Sequence, residues 1–441
     1  MKKQSTMMVS GVFLMLLCMW MLLDGSPSAA QAVLTVSKTP GAAAFTTIQA
    51  AIDAANPGDT ILIMDSADYP EHLRLAKNNV TLQAAEGQSP TISGRPGAPD
   101  TLDTLDVSGT NGVTIRGIRF TSGSDDAITA SPGPGATNLT VENCVFESLN
   151  DIGVILNNNS TGTVRNNIFR RLGTGTNRAG LGMSVLNGSN VVVEGNTFDD
   201  LLGAGIQVNV ATATIRNNTF RGGPMNGQFS DGVQLVRSTA TVVRNRFIDI
   251  GRIAIGTFTP QDDPTPRVTS SVTIINNLIF NSGTFNPNAG FGFQLVGTSN
   301  TRHNFTLINN TVADNAVCAI LYALNTGGSS VLLVNNILSG SGGPFDILFT
   351  QQAASRGPRE LTARNNLVDR DPIMIVGTNG NITGDPRYVA PLNGNYGVQA
   401  GSPVIDAGDD SVQGLPETDI AGNPRRAGRA VDIGAYEFQQ P

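Results

Sequence analysis

The chain is short of the residues that usually announce chemistry. Among its 441 residues there are three Cys, two His and one Trp; aromatics make up 5% and charged residues 14%. His72 and His303 stand far apart, which argues against a Cys/His metal centre and leaves each as a surface or turn residue. Basic charge is scarce as well. The net charge is −7 with a pI near 4.9, and the basic residues are mostly scattered Arg, so there is no electrostatic footprint for nucleic acid. Calcium, or a neutral or calcium-bridged polymer, suits this balance better.

Long apolar runs are absent except at the start. Lys2 and Lys3, an apolar run over residues 12–23, Pro27 and the small-residue site Ala30-Gln31-Ala32 read as a secretory signal cleaved before Val33. The run is short for a membrane span, and Leu17 before Cys18 is too bulky for a lipoprotein signal. Cleavage would leave 409 of the 441 residues, secreted to the cell exterior or surface, with no membrane span.

What the chain has in abundance is repetition. Ala213-Thr214-Ile215-Arg216-Asn217-Asn218-Thr219-Phe220 returns in close copies whose last residues fall at positions 120, 146, 169, 198, 220, 247, 279, 312, 338 and 368. A period of twenty to thirty-odd residues is that of a solenoid, in which each coil contacts only its neighbours. Within each copy the residues five and seven places before the end are mostly apolar, as in Val191 and Val193 or Phe305 and Leu307. That period of two predicts strands with one face inward.

Two places before the end stands an Asn in eight successive copies: Asn167, Asn196, Asn218, Asn245, Asn277, Asn310, Asn336 and Asn366. Asn tolerates the left-handed backbone of a tight turn, and stacked amides donate to and accept from one another. An internal ladder beginning at Asn167 is expected, because Ile118 and Cys144 hold this place in earlier copies. At roughly 4.8 Å per coil, Cys144 and Cys318 lie about 30 Å apart, beyond disulfide reach, so both should be buried free thiols.

A second strand of each coil has the form Gly-apolar-x-apolar, as in Gly205-Ile206-Gln207-Val208, and places Gln207, Gln234 and Gln294 outward. The connection leading into this strand varies in length, and in solenoids such insertions gather on the functional face. Residues 260–266 and 345–359 are expected as exposed excursions. Ahead of the coils, Ile48, Ala51, Ile52 and Ala55 follow helical spacing, with Thr46 and Gln49 arranged as a capping box. This short helix should lid the open apolar end of the stack.

The segments Phe45-Thr46-Thr47-Ile48-Gln49-Ala50-Ala51-Ile52, Pro57-Gly58-Asp59-Thr60-Ile61 and Tyr69-Pro70-Glu71 resemble the opening of the pectin-lyase-like superfamily. The resemblance implies an all-β fold: one right-handed parallel β-helix of about eleven coils, roughly 50 Å long, in an extracellular polysaccharide context. Residues 1–32 would be the signal peptide, 33–60 an N-terminal cap with its helix, 61–370 the coils and 371–441 a C-terminal cap module. That last module, with Gly401-Ser402-Pro403 and Asp432-Ile433-Gly434-Ala435-Tyr436-Glu437, resembles one common in secreted bacterial β-helix proteins. It should cover apolar side chains of the last coil, and the protein should be a monomer. Ca²⁺ at Asp406, Asp409 and Asp432 is a further option there.

The superfamily holds lyases, hydrolases, esterases, epimerases and non-catalytic adhesins, so fold alone does not choose among them. Asp125 and Asp126 suggest the paired carboxylates of polygalacturonase-type hydrolases, but the Gly-His-Gly and Arg-Ile-Lys elements of those enzymes are absent. Resemblance to pectate-lyase-like enzymes implies another reading. Asp125, Asp126 and Asp151, in consecutive coils, would hold Ca²⁺ that neutralises a uronate carboxylate and acidifies its C5 proton, and Arg178 would stand near that proton. Against it, carboxylates about 4.8 Å apart repel by only ~1 kcal/mol in water, so a turn of stacked Asp needs no ligand. The alternatives are thus a polysaccharide lyase and a non-catalytic glycan-binding or surface protein.

Overall fold

The computed structural model describes residues 31–94, 103–121, 126–173, 179–223, 230–258, 269–297, 302–324, 329–349, 361–370 and 376–439. The chain winds through three parallel sheets of 13, 12 and 11 strands. The first sheet runs from Val33–Val36 to Leu361–Arg364, the second from Asp68–Tyr69 to Leu367–Val368, and the third from Leu73–Arg74 to Ile347–Phe349. Each coil visits them in the same order, which makes a parallel β-helix, right-handed as parallel crossovers are. The expected fold and coil number hold. One difference is that Val33–Val36, placed in the cap by the sequence pattern, pairs with Thr60–Ile63 and starts the first sheet.

Aromatic stacking explains why the repeat ends in Phe. Phe120, Phe146, Phe169, Phe198, Phe220 and Phe247 form one buried column with ring centroids 4.6–5.2 Å apart and planes within 6°. The Gly before four of the third-sheet strands, Gly153, Gly182, Gly205 and Gly232, makes room for it: a Cβ on Gly205 would stand 2.6 Å from Cδ1 of Phe220, and one on Gly232 2.6 Å from Cδ1 of Phe247.

The Asn ladder starts at Asn167 and runs one rung past expectation, to Asn381. Asn167 accepts the backbone N–H of Cys144, and each later side chain accepts, at Oδ1, the backbone N–H and the Nδ2–H of its predecessor, as Asn277 does for Asn245 at 2.8 and 3.0 Å. Each Nδ2 also donates to a carbonyl of the preceding coil. The left-handed residue, however, is the one before: Asn166, Asn217, Asn276, Asn309, Asn335 and Asn365 have φ of 51–58°. Turn conformation and ladder are therefore divided between two neighbours rather than combined in one.

The opening helix spans Ile48–Ala54 with Thr47, not Thr46, as N-cap. Its free N–H groups at Ile48 and Gln49 are taken by the Glu71 carboxylate at 3.0 Å each, and Lys77 caps the other end on the Ala55 carbonyl at 2.6 Å. Cys144 and Cys318 are buried free thiols, as expected. His303 is the exception among the minor residues. It is 1% exposed, stacked on Phe305 at 5.5 Å, rather than on the surface, and burial pushes its pKa down to about 4.

The C-terminal module corrects a further expectation. Ile382 bridges to Leu367 at the last coil, but most of the module lies as a strap along the side of the solenoid, over the corner between the first and second sheets. The left-handed Asn residues are its rail: Asn276 donates to Thr418, Asn309 to Asp432 and Gly434, Asn335 to Asp409, and Asn365 to Ala407, all backbone carbonyls at 2.9–3.1 Å. Beside the rail, outward Ile275, Ile308 and Val334 meet Val412, while Leu278, Phe280 and Ala313 meet Tyr396, Ile420 and Ala435.

Buried charge pins the strap. Arg425, 2% exposed, donates to the Gly434 and Ala435 carbonyls at 3.0 and 2.9 Å and to Asn276 Oδ1 on the rail. Glu437 lies 3.8 Å from it. Burial pushes Glu437 up to about 7, with Asp432 adding to the shift and Arg425 opposing it. The folded chain thus keeps a proton that an unfolded Glu would release, and the strap should lose stability as pH rises from about 4.5 to about 7. Buried His303 acts oppositely between about 4 and 6.5. Melting wild type and Glu437→Gln at pH 5 and pH 8 separates them: the wild type should lose stability relative to the variant at the higher pH, and a constant difference would contradict the assignment.

Candidate functional site

The acidic residues singled out in the sequence sit at the corner leading into the third sheet, where they tie one coil to the next. Asp126 Oδ1 accepts from Ile152 N at 3.0 Å, and Asp151 Oδ1 from Ala179 N and Gly180 N at 2.7 and 3.1 Å. The register Ile128–Val154–Met183 sets Asp126 level with Ile152 and Asp151 level with Gly180, so the two carboxylates stand one residue out of line. Asp125 and Arg178 lie outside the described residues. Among the described residues no three His, Cys, Asp or Glu are grouped to hold a metal ion.

The same corner chemistry recurs downstream with a partner. Asp231, level with Asp126 in the repeat, accepts from Ile253 N at 3.2 Å and takes two bonds from Arg252, at 2.8 and 2.5 Å. Asp346 accepts from Arg370 N at 2.8 Å, with the Arg370 guanidinium 3.8 Å away. Burial pushes the Asp346 carboxyl up. Both carboxylates are fully buried, and each has one guanidinium against it.

Between those two pairs the outward face of the third sheet changes character. Gln207, Gln234, Gly256, Gln294, Leu321 and Leu348 occupy one register row. Gln207 donates to Gln234 at 3.2 Å, and Gln234 to Asp231 at 2.9 Å, which fixes the amides. Gly256 interrupts the row. The ring of Phe258 folds over it, so that a Cβ there would stand 2.8 Å from Cε2, and Arg252 packs 5.7 Å from the ring centroid. Beneath lies a small apolar cluster separate from the main core: Ile253, Phe291 and Cys318, with Leu321 and Leu348 against it. Burial pushes the Cys318 thiol up to about 12, which makes it packing rather than nucleophile.

Two exposed aromatics lie in the connections that lead from the second sheet into these third-sheet strands, Phe285 at 52% and Phe345 at 40% exposure. An apolar strip with amides alongside can bind a polyhydroxylated ligand by stacking and hydrogen bonding. The outward glutamines were legible in the sequence; Asp231, Arg252, Phe258, Phe285 and Phe345 were not. Available signals were the Asp-Gly of residues 231–232, which repeats the Asp-Ala of 126–127, and Gly256 where neighbouring coils carry Gln. The excursion expected over residues 345–359 is in part sheet, since Ile347–Phe349 pairs with Cys318–Leu324; residues 260–266 lie outside the described residues.

A second concavity, of about 780 Å³, lies between the second sheet and the strap, lined among others by Arg221, Arg246, Asp249, Asp314 and Tyr396. Within it Tyr396 donates to Asp314 at 2.6 Å and Asn281 to Asp249 at 2.5 Å, while Arg246 donates to Tyr436 and to the Ile420 carbonyl of the strap.

Residues 103–258 match the right-handed β-helix region family. No curated protein matches the sequence. Solved structures of similar architecture include XylC in complex with xylose, at 10% identity and TM-score 0.57, covering 92% of this chain and 99% of that one. The pectate lyase Pel9A aligns at 14% identity and TM-score 0.50 over 92% and 96% of the two chains. A GH136 lacto-N-biosidase from Eubacterium ramulus aligns at 9% identity and TM-score 0.51 over 76% and 67%. At such identities the likeness is one of fold.

Proposed function

We propose that this is an exported β-helix protein that binds extracellular polysaccharide on the outward face of its third sheet. The observation that carries the reading is the Phe258 ring held over Gly256 in line with Gln234 and Gln294, on a strip flanked by two Asp–Arg pairs. The names of the structural relatives, a pectate lyase, a xylose-bound protein and a lacto-N-biosidase, lend support by placing the same architecture in carbohydrate chemistry. Incubation with pectate, alginate, xylan and glycosaminoglycans tests the reading. Retention on a polymer without new unsaturated ends supports binding; unsaturated ends mean elimination, and no retention on any polymer overturns the proposal. Export is part of it, and a mature chain beginning at Val33 on N-terminal sequencing supports that, whereas a retained Met1 opposes it.

Calcium-assisted elimination receives less support. Asp126 and Asp151 each spend an oxygen on the backbone of the next coil, while Ca²⁺ requires six to eight oxygen ligands. The residues described there do not make such a cage. Calorimetry of Ca²⁺ with wild type and with Asp126→Ala plus Asp151→Ala should give equal heats; binding lost in the double variant would restore the cation site.

A further inference from the structure

We infer that the ligand of this platform is a neutral, extended, equatorially linked pyranose polymer lying parallel to the solenoid axis; the inference rests on the binding reading above. Three observations favour this class, the first of them setting it apart from the uronans. The first is charge. Among the described residues, Arg252 and Arg370 at the two ends of the strip are each held by a buried carboxylate, Asp231 and Asp346, which leaves them poorly placed to pair with a row of uronate carboxylates.

The second is spacing. Phe285 follows the second-sheet strand Leu278–Phe280 and Phe345 follows Ile337–Ser339, with the coil of Thr311–Ala313 between them. Two coils at about 4.8 Å set the rings roughly 10 Å apart along the axis. That is close to the two-sugar repeat of an extended chain, in which alternate rings present the same face. A helical, axially linked chain does not keep this phase. Each aromatic can then cover the C–H face of every second sugar while the fixed amide of Gln234 and the outward side chain of Gln294 meet hydroxyls.

The third is preorganisation. The backbone N–H groups of Phe285 and Asn286 both donate to the Gly251 carbonyl, at 3.1 and 3.0 Å, and Gly343 N donates to Val317 O at 2.9 Å. Both exposed rings therefore ride on backbone tied to an adjacent coil, which lowers the entropy lost on binding.

Affinity electrophoresis of the full chain tests this against four immobilised polymers: a β-1,4-glucomannan, an α-1,4-glucan, alginate and pectate. The glucomannan should retard the protein to an extent insensitive to salt, and Phe285→Ala or Phe345→Ala should each weaken retardation about tenfold with unchanged melting temperature, since both side chains are exposed. Retardation by alginate or pectate that fades with salt, equal retardation by the α-linked glucan, or variants that bind like wild type would each overturn the inference and leave polysaccharide binding intact. Retardation by none of the four overturns the inference, and no retention on xylan or glycosaminoglycans either overturns the binding reading with it.

Discussion

Truncation after Asp385 should yield protein that aggregates and binds apolar dyes, although every coil is left in place. The strap covers outward Ile275, Leu278, Phe280, Ile308, Val334 and Ile337, a continuous apolar band along the corner of the first and second sheets. Contiguous exposed apolar surface of that kind drives association. The loss is compounded on the rail, where Asn276, Asn309 and Asn335 would surrender their bonds to Thr418, Asp432 and Asp409. Size-exclusion chromatography with dye binding checks this. A soluble truncation that leaves dye fluorescence unchanged would mean that the band is covered in some other way.

Replacing Asn277 with Ala should be among the most damaging single substitutions in the protein, at roughly 3–5 kcal/mol. The side chain accepts two bonds from Asn245 and donates to Val242 O, Ile275 O and Asn310 Oδ1, all buried. Removal strands two donors of Asn245 at about 1–3 kcal/mol each, where water does not reach. Asn167→Ala, at the ladder's first rung, should cost less, because its predecessor is Cys144, which offers one backbone N–H and no side-chain amide to be stranded. Denaturant titration of both variants measures the difference. Equal losses would show that the ladder does not work as a chain of mutually satisfied amides.

The parts of the fold that repeat were legible because repetition averages local ambiguity away. One Asn before a Phe says little, but eight in register specify a ladder and a turn. What the repeat could not disclose is which side of the solenoid another segment covers. A signal for the strap does exist: Glu142, Arg165, Glu194 and Arg216 share one outward column, which turns to Val243, Ile275, Ile308 and Val334 before reverting to Arg364. Charge gives way to aliphatic side chains over those coils, beneath Val412 and Leu415, and Arg364 then pairs with Asp409. Read as a column, it marks a covered face; read along the chain, each Ile or Val is one more strand residue.

The candidate site was legible only in its amides. Gln207, Gln234 and Gln294 follow from strand alternation, whereas Phe258 reaches its place by leaving the strand and folding back over Gly256, a tertiary event with no period. The Asp residues misled for the opposite reason. Asp126 and Asp151 look like stacked ligands when side chains are counted, but each carboxylate meets the backbone N–H groups of the following coil. His303 is similar: alternation along Arg302–Ile308 turns it inward beside Phe305, which its polarity alone does not announce.

Hydrogen exchange with and without a bound oligosaccharide tests most directly whether the third-sheet platform is the functional face. The account predicts slowed exchange at Arg252, Phe258, Phe285, Gln294 and Leu321, with the strap side at Arg246, Asp249 and Asp314 unchanged. Protection confined to the strap side would contradict it.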